Sequence, residues 1–421
     1  MLLFFPLIYF ICVAFYFFKK HGSWNLDVAA TMILVVISLC ALMIDFNDLY
    51  GDYGINLNAI TLPTIILFCL QWTFVLIPIH LISSLTLYKH DEYKTWILYT
   101  ILIVVSLNSF VMVYLSIEDI RDALIMDMAD VRNAHYTDMQ GSSGGERNML
   151  RLLPTIVTSG AFPTFALFFW FYVKANLKTS FISIFLQIVL MLSSIVQATI
   201  SITIAGRAAL VYWIFDFYLI YSFFYKYLSK KLKRGINISA LVVIVAIIGL
   251  FISITVSRFE DESNNAQINA FDSLYGYAGQ HINNFCSIMQ YGADSPLQTA
   301  RIFPLLSKFM GIKFSLVDHY DNIVKYVQSE VNVFDTFGAE VYLDFGWFGY
   351  ILFFILWGLM IFYIYKKWES LDFYKSFYIV IFIAFFSRGV FAWPFTNHYS
   401  TFATMLLLCF AILFKYRFKL K

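Results

Sequence analysis

The stretch that decides the fold runs from Val341 to Tyr365 and reads VYLDFGWFGYILFFILWGLMIFYIY. Only Asp344 in it carries a charge, and an apolar run of this length can cross the roughly 30 Å hydrocarbon core of a bilayer as a helix. Comparable runs recur along the 421 residues and make the composition 60% apolar and 13% charged. A soluble domain has about 25% charged residues. The sequence therefore predicts an all-α polytopic membrane protein and excludes an ordinary soluble enzyme.

The apolar runs predict about eleven transmembrane helices. They cover residues 2–18, 28–44, 60–87, 95–115, 152–173, 179–200, 208–228, 237–256, 341–365, 376–393 and 400–414. Most of the 29 basic residues fall in the connectors on one side of this arrangement, and the positive-inside rule assigns that side to the cytoplasm. Because eleven is odd, the N-terminus is predicted outside and the C-terminus inside.

The opposite side carries two long loops, at about 116–151 and 257–340. The second is too long to be structureless in a compact protein, so a helical cap is expected there, and its length points to function. The predicted organisation is therefore helices 1 to 8 within 1–256, the large loop at 257–340, and helices 9 to 11 with a basic tail at 341–421.

Arginine dominates the basic residues of the outer side, whereas lysine dominates those of the inner side. The outer arginines are Arg121, Arg132, Arg147, Arg151, Arg207, Arg258, Arg301 and Arg388. Arginine offers a rigid fork of donors that grips phosphate in bidentate fashion. Three of them, Arg207, Arg258 and Arg388, lie within or directly beside predicted helices, where a charge is costly unless it serves a partner or a ligand. Pairing with outer carboxylates or lipid head groups is the alternative explanation.

Candidate acids and bases on the outer side include Glu340, Asp344 and His319. Glu340 and Asp344 are four residues apart, so on a helix both would face one cavity. Such a group can take a proton from an acceptor hydroxyl in a transition state. Solvated or capping roles are the alternative for loop carboxylates. No paired-histidine or Asp-rich motif is present, so neither a metal nor another cofactor is predicted, and the net charge of +2 gives no reason to expect nucleic acid.

Three short motifs resemble a known family. They are Ala205-Gly206-Arg207 in a turn between two predicted helices, Ser257-Arg258-Phe259 at the start of the large loop, and its exit. The exit reads Asn332-Val-Phe-Asp-Thr336, then Tyr342-Leu-Asp-Phe-Gly-Trp-Phe-Gly349. From about residue 150 onward, this layout is similar to that of the bacterial oligosaccharide repeat-unit polymerases, the Wzy-type O-antigen and capsule polymerases.

The resemblance implies a metal-independent glycosyltransferase of the inner membrane with a GT-C-like architecture. Such enzymes join undecaprenyl-pyrophosphate-linked oligosaccharide units on the periplasmic face, in O-antigen and related lipopolysaccharide or capsule biosynthesis. Carried onto this sequence, it implies Arg207, Arg258 and Arg301 as pyrophosphate ligands with Arg388 as a fourth. The general base stays open among the three acid–base candidates above. A chain-length regulator and a flippase are the implied partners, besides the lipid bilayer.

Two alternatives remain at the level of sequence. An O-antigen ligase would use similar arginines but deliver the glycan to a lipid A core, and the Asp344-Phe-Gly sequence favours the polymerase. A lipid-linked oligosaccharide flippase or other transporter would be expected to show an even number of helices and paired repeats. The odd number of helices and the single large outer loop argue against a transporter.

Overall fold

The computed structural model describes residues 2–51, 53–86, 95–125, 149–176, 181–202, 208–242, 245, 249, 270–292, 302–311, 336–368, 372–395 and 398–416. Within these ranges the regular structure is entirely helical. The helices are α1 (Phe4–His21), α2 (Leu26–Phe46), α3 (Leu62–Ser84), α4 (Thr95–Leu115), α5 (Ile117–Ile125), α6 (Met149–Thr158), α7 (Phe162–Asn176), α8 (Phe181–Ile202), α9 (Ala208–Phe224), α10 (Ala270–Tyr291), α11 (Pro304–Phe309), α12 (Thr336–Lys367), α13 (Lys375–Gly389) and α14 (His398–Tyr416). Residues 230–242 are also helical.

Seven helices of the described ranges are long and apolar enough to cross a membrane, namely α1, α2, α3, α8, α9, α12 and α14. The pair α6 and α7, bent by 61° at a short break, adds an eighth if it forms one crossing. The chain is therefore an all-α, multi-pass membrane protein, and that prediction is confirmed. The number of eleven stays a prediction: α4 and α13, which correspond to the predicted runs 95–115 and 376–393, are not among these seven helices, and most of the expected helix at 237–256 lies outside the described residues.

The chain divides into two compact units. The first comprises Met1–Tyr88, Phe271–Asp372 and Ala384–Thr401, and the second comprises Lys89–Ala270, Phe373–Ile383 and Phe402–Lys421. The first unit contains α1, α2, α3, α11, α12 and nearly all of α10, and the second contains α4 to α9. Every candidate site residue that the structure describes belongs to the first unit.

The second unit has an aromatic interior. Phe165, Phe168, Phe169 and Phe171 of α7 are fully buried and touch other rings of this unit. Its buried carboxylate, Asp216 of α9, accepts a hydrogen bond from Thr164 Oγ1 at 2.6 Å. Aromatic rings therefore pack the interior of this unit, and a hydrogen-bonded carboxylate is buried among its helices.

In the first unit, α10 packs against the spanning helices although its sequence belongs to the predicted outer loop. Its start is fixed by Tyr53, whose hydroxyl donates to the Asp272 carbonyl at 2.7 Å. Gly279 lies so close to α2 that a Cβ there would stand 2.5 Å from the Ala41 backbone nitrogen. Further along, the Phe285 ring lies 5.6 Å from that of Phe68 in α3. The part of the 257–340 loop beyond α10 and α11 falls mostly outside the described residues, so the cap as a whole stays a prediction.

Candidate functional site

Glu340, Asp344 and Arg388 all lie in the first unit, and all are buried. Their exposed fractions are 0%, 1% and 5%. Charged side chains are almost never this buried unless they are paired or serve a ligand. The other predicted site residues, Arg207, Arg258, Arg301 and His319, lie outside the described residues.

Two different segments make up α12, because the helix breaks at Gly346. The backbone there has φ 63° and ψ −161°, a region that only glycine enters readily. Before the break, every residue from Thr336 to Asp344 is buried, and we call this segment the buried half. After it, residues 347–367 form what we call the exposed half, in which Phe348 is 78% and Leu356 57% exposed. Because of the break, the segment before Gly346 carries Glu340 inside the protein, and the segment after it carries apolar side chains at the protein surface.

Asp344 anchors the chain beside this break. Its Oδ2 accepts a hydrogen bond from the backbone N–H of Ile302 at 2.7 Å, and Ile302 follows Arg301 in the sequence. Three residues past the break, Gly349 leaves the space that the Phe345 side chain occupies. The Asp-Phe-Gly-x-x-Gly pattern therefore has a structural basis at the joint of α12. Asp344 contributes to that joint through its hydrogen bond to the backbone of Ile302.

Gln71 of α3 reaches into the buried half and connects its first residue, Thr336, to Tyr350 beyond the break. Its Nε2 donates to Thr336 Oγ1 at 3.5 Å, and its Oε1 accepts from the Tyr350 hydroxyl at 3.4 Å. Gly338 permits this approach, since a Cβ at that position would overlap Gln71 Oε1. Thr336 has a φ of 65°, an unfavourable value for a β-branched residue. Strain of this kind is often concentrated where a site must be held in one geometry.

Arg388 ends α13 between the buried half and α10. The neighbouring Gly389 touches Phe337 of the buried half. Three residues beyond the arginine, the Phe391 ring meets His281 of α10 edge-on at 4.5 Å. The Arg388 Nη1 donates to Ser387 Oγ at 3.3 Å. The structure thus brings Arg388 into the same packed region as the segments that carry Glu340 and His281.

Residues 281–289 of α10 are buried on every side and include several polar groups. Both amide atoms of Asn283 and of Asn284, and the Ser287 hydroxyl, have no hydrogen-bond partner among the described residues. A buried polar group left unsatisfied costs about 1–3 kcal/mol, so five such atoms on one helix call for a polar ligand or ordered water. Burial also lowers the pKa of His281 to about 3, against the opposing effect of a hydrogen bond with the Tyr277 backbone, and keeps the imidazole neutral.

Sequence reasoning missed Gln71, Asn283, Asn284 and Ser287. The available signal was the polar character of 270–291, which was attributed to an outer loop. A polar stretch of helical length between apolar helices is equally consistent with an interior helix. The contacts that decide between the two are with α2 and α3, more than 200 residues away in sequence for Gly279 and Ala41.

No protein-family model, no curated protein and no solved structure matches this chain. The function is therefore argued from the site itself. The candidate site combines a fully buried carboxylate, a buried guanidinium, a neutral imidazole and a set of amide and hydroxyl groups. These are the groups that a site needs to bind a polyhydroxylated substrate with an anionic group and to remove a proton from it.

Proposed function

We propose that this protein is an inner-membrane oligosaccharide repeat-unit polymerase, a metal-independent glycosyltransferase that joins undecaprenyl-pyrophosphate-linked units into O-antigen or a related surface polysaccharide. The single observation that carries the proposal is the set of buried, unsatisfied amide and hydroxyl groups of α10 in the unit that contains Glu340 and Arg388. Sugar hydroxyls both donate and accept hydrogen bonds, as do Asn and Ser side chains.

In this proposal Glu340 is the general base. It would take the proton from the acceptor hydroxyl as that oxygen forms the new bond to the anomeric carbon of the growing chain. The bond from that carbon to the pyrophosphate oxygen breaks, and undecaprenyl pyrophosphate leaves with the bonding electrons.

Arg388 is proposed to stabilise the charge that develops on the leaving pyrophosphate. Arg207, Arg258 and Arg301 stay proposed as its companions on the strength of the sequence motifs alone. Asp344 is proposed to position the chain after Arg301 through its bond to Ile302, and His319 stays an alternative base.

The proposed setting is the bacterial inner membrane. Eleven helices in a GT-C-like arrangement would place the N-terminus in the periplasm and the C-terminus in the cytoplasm. The substrate would reach the site from the periplasmic leaflet after a flippase delivers it, and a chain-length regulator would act beside the polymerase. Support for this orientation comes from the lysine-rich inner connectors.

The test is reconstitution of the purified protein in liposomes with an undecaprenyl-pyrophosphate-linked repeat unit from its own host. We expect a ladder of multiples on a gel. Glu340→Gln should slow its formation by about 10² to 10⁴-fold, as expected for loss of a general base. Arg388→Lys keeps the charge but loses the bidentate fork, and should slow it by about 10²-fold.

Matched controls come from α5, where Glu118 and Arg121 are exposed. Glu118→Gln and Arg121→Lys should leave the ladder unchanged, and all four variants should elute from a sizing column like the wild type. If the repeat unit crosses the bilayer without a ladder, the protein is a transporter. If glycan appears only on an added lipid A core, it is a ligase.

A further inference from the structure

Three metal-ligating side chains meet where α1, α2 and α3 come together, away from the site described above. His21 ends α1, Asp27 lies in the first turn of α2, and His80 lies in the last turn but one of α3. His80 Nδ1 is 2.6 Å and His21 Nε2 is 3.0 Å from Asp27 Oδ2. The three ligand atoms all lie within 4.8 Å of one another. His21 and Asp27 are six residues apart, whereas His80 lies 53 residues after Asp27, and no sequence motif indicates their meeting.

The surroundings hold these side chains in place. Asp27 is fully buried, and its second oxygen, Oδ1, accepts the backbone N–H of Val28 at 2.8 Å. The His80 ring stacks on Phe17 with ring centroids 4.8 Å apart. Outer contacts of this kind orient the ligands of a metal site and raise its affinity. One oxygen of the carboxylate is thus fixed by the backbone, while the other faces both imidazoles.

We propose that His21, Asp27 and His80 bind one divalent transition-metal ion of the Zn²⁺ class. Two imidazoles and one carboxylate are a ligand set that Zn²⁺ accepts, with bonds of about 2.0–2.2 Å. In tetrahedral geometry such bonds require ligand atoms about 3.3 Å apart, so the present separations of 2.6 Å, 3.0 Å and at most 4.8 Å must all adjust toward that value when the ion binds. Three protein ligands leave the fourth position to water. The ion fastens the ends of three helices to one another, and this role is independent of the proposed glycan chemistry.

Lys20 regulates access to the triad. Its Nζ lies 2.8 Å from His80 Nε2, and since an ammonium can only donate, the ring proton of metal-free His80 is on Nδ1, facing Asp27. Metal binding at Nδ1 therefore requires the other tautomer, with the ring proton moved to Nε2 through solvent. The exposed Lys20 side chain must then swing away. Removing the lysine charge should strengthen metal binding.

The test uses the full-length protein in detergent, stripped with EDTA and then dialysed against Zn²⁺, with bound metal measured by mass spectrometry. We expect about one Zn²⁺ per chain in the wild type. His21→Ala, Asp27→Asn and His80→Ala should each weaken binding at least 10-fold, in line with the loss of a ligand. His398→Ala removes a half-buried histidine elsewhere and should bind like the wild type, whereas Lys20→Met should bind more tightly.

A second measurement needs no variant. At a Zn²⁺ concentration about 100 times the dissociation constant, the unfolding temperature of the wild type should rise by at least about 3 °C. Mg²⁺ at the same concentration should leave it unchanged, because Mg²⁺ prefers oxygen ligands. Absence of saturable Zn²⁺ binding by the wild type, or equal binding by the three ligand variants, would overturn the proposal and leave a hydrogen-bonded triad.

Discussion

The two halves of α12 lie in opposite surroundings. In the buried half, Ala339 and Glu340 have exposed fractions of 0%, and protein surrounds the helix on every side. In the exposed half, Leu359 and Phe362 are each 61% exposed, and lipid is their natural solvent. A bilayer is as apolar as a leucine side chain, so apolar residues gain little by turning inward. Buried polar groups such as Glu340 and Asp344 therefore lie among apolar side chains in the interior of the first unit, while the exposed half presents apolar side chains at the surface.

The sharpest test of this difference is the same truncation made in each half. Leu343→Ala removes a side chain that is 1% exposed and should lower the free energy of unfolding by about 2–5 kcal/mol. Leu359→Ala removes one that faces lipid and should change it by less than about 0.5 kcal/mol. Denaturation in detergent micelles measures both. Equal losses would mean that the exposed half is covered by protein.

A charged side chain introduced into the exposed half should disfavour its insertion into the membrane. Leu356→Asp places a carboxylate midway along the exposed half, and a charged residue at the centre of a spanning helix costs about 3 kcal/mol for insertion. We expect the membrane-inserted fraction to fall, as measured by glycosylation of reporter sites in the flanking segments. Leu356→Ala is the control. Normal insertion of the aspartate variant would place this face against protein or water.

The break between the halves depends on one glycine. Gly346→Ala forces a side chain onto a backbone with φ 63° and should cost about 1–3 kcal/mol of stability. Gly358→Ala, in the exposed half with no atom within 4 Å of the new Cβ, is the matched control and should not destabilise the protein. Thermal unfolding compares them. If both variants behave alike, the break is not a fixed feature of α12.

The smallest expected effect is a pH dependence of the polar interior. Burial lowers the pKa of His281 from 6.5 in the unfolded chain to about 3, and α10 is not one of the seven spanning helices. Between these values the unfolded chain binds the extra proton, so stability is full above pH 6.5 and falls as the pH drops toward 3. The loss should be about 1 kcal/mol over the first pH unit. A flatter profile is expected for His281→Gln, and identical profiles would contradict this assignment.

Much of the membrane architecture could be predicted from local patterns. The runs at 2–18, 28–44 and 400–414 correspond to α1, α2 and α14 within a few residues, because hydropathy over about 20 residues is a local property. Arg388 was predicted as a site residue because a charge within an apolar run is conspicuous, and Glu340 because it lies four residues before Asp344. Asn283 and Asn284 were not, since uncharged amides in a polar stretch carry no such signal.

By itself, the sequence determined that the chain is a multi-pass helical membrane protein. It also identified Glu340, Asp344 and Arg388 as candidate site residues. Only the tertiary structure decided that α10 lies within the first unit, that α12 changes environment at Gly346, and that His21, Asp27 and His80 meet. The physical reason is how far apart in sequence the residues that determine each property lie. Partition into lipid depends on a short window of residues, whereas a site of buried polar groups exists only where helices distant in the chain pack together.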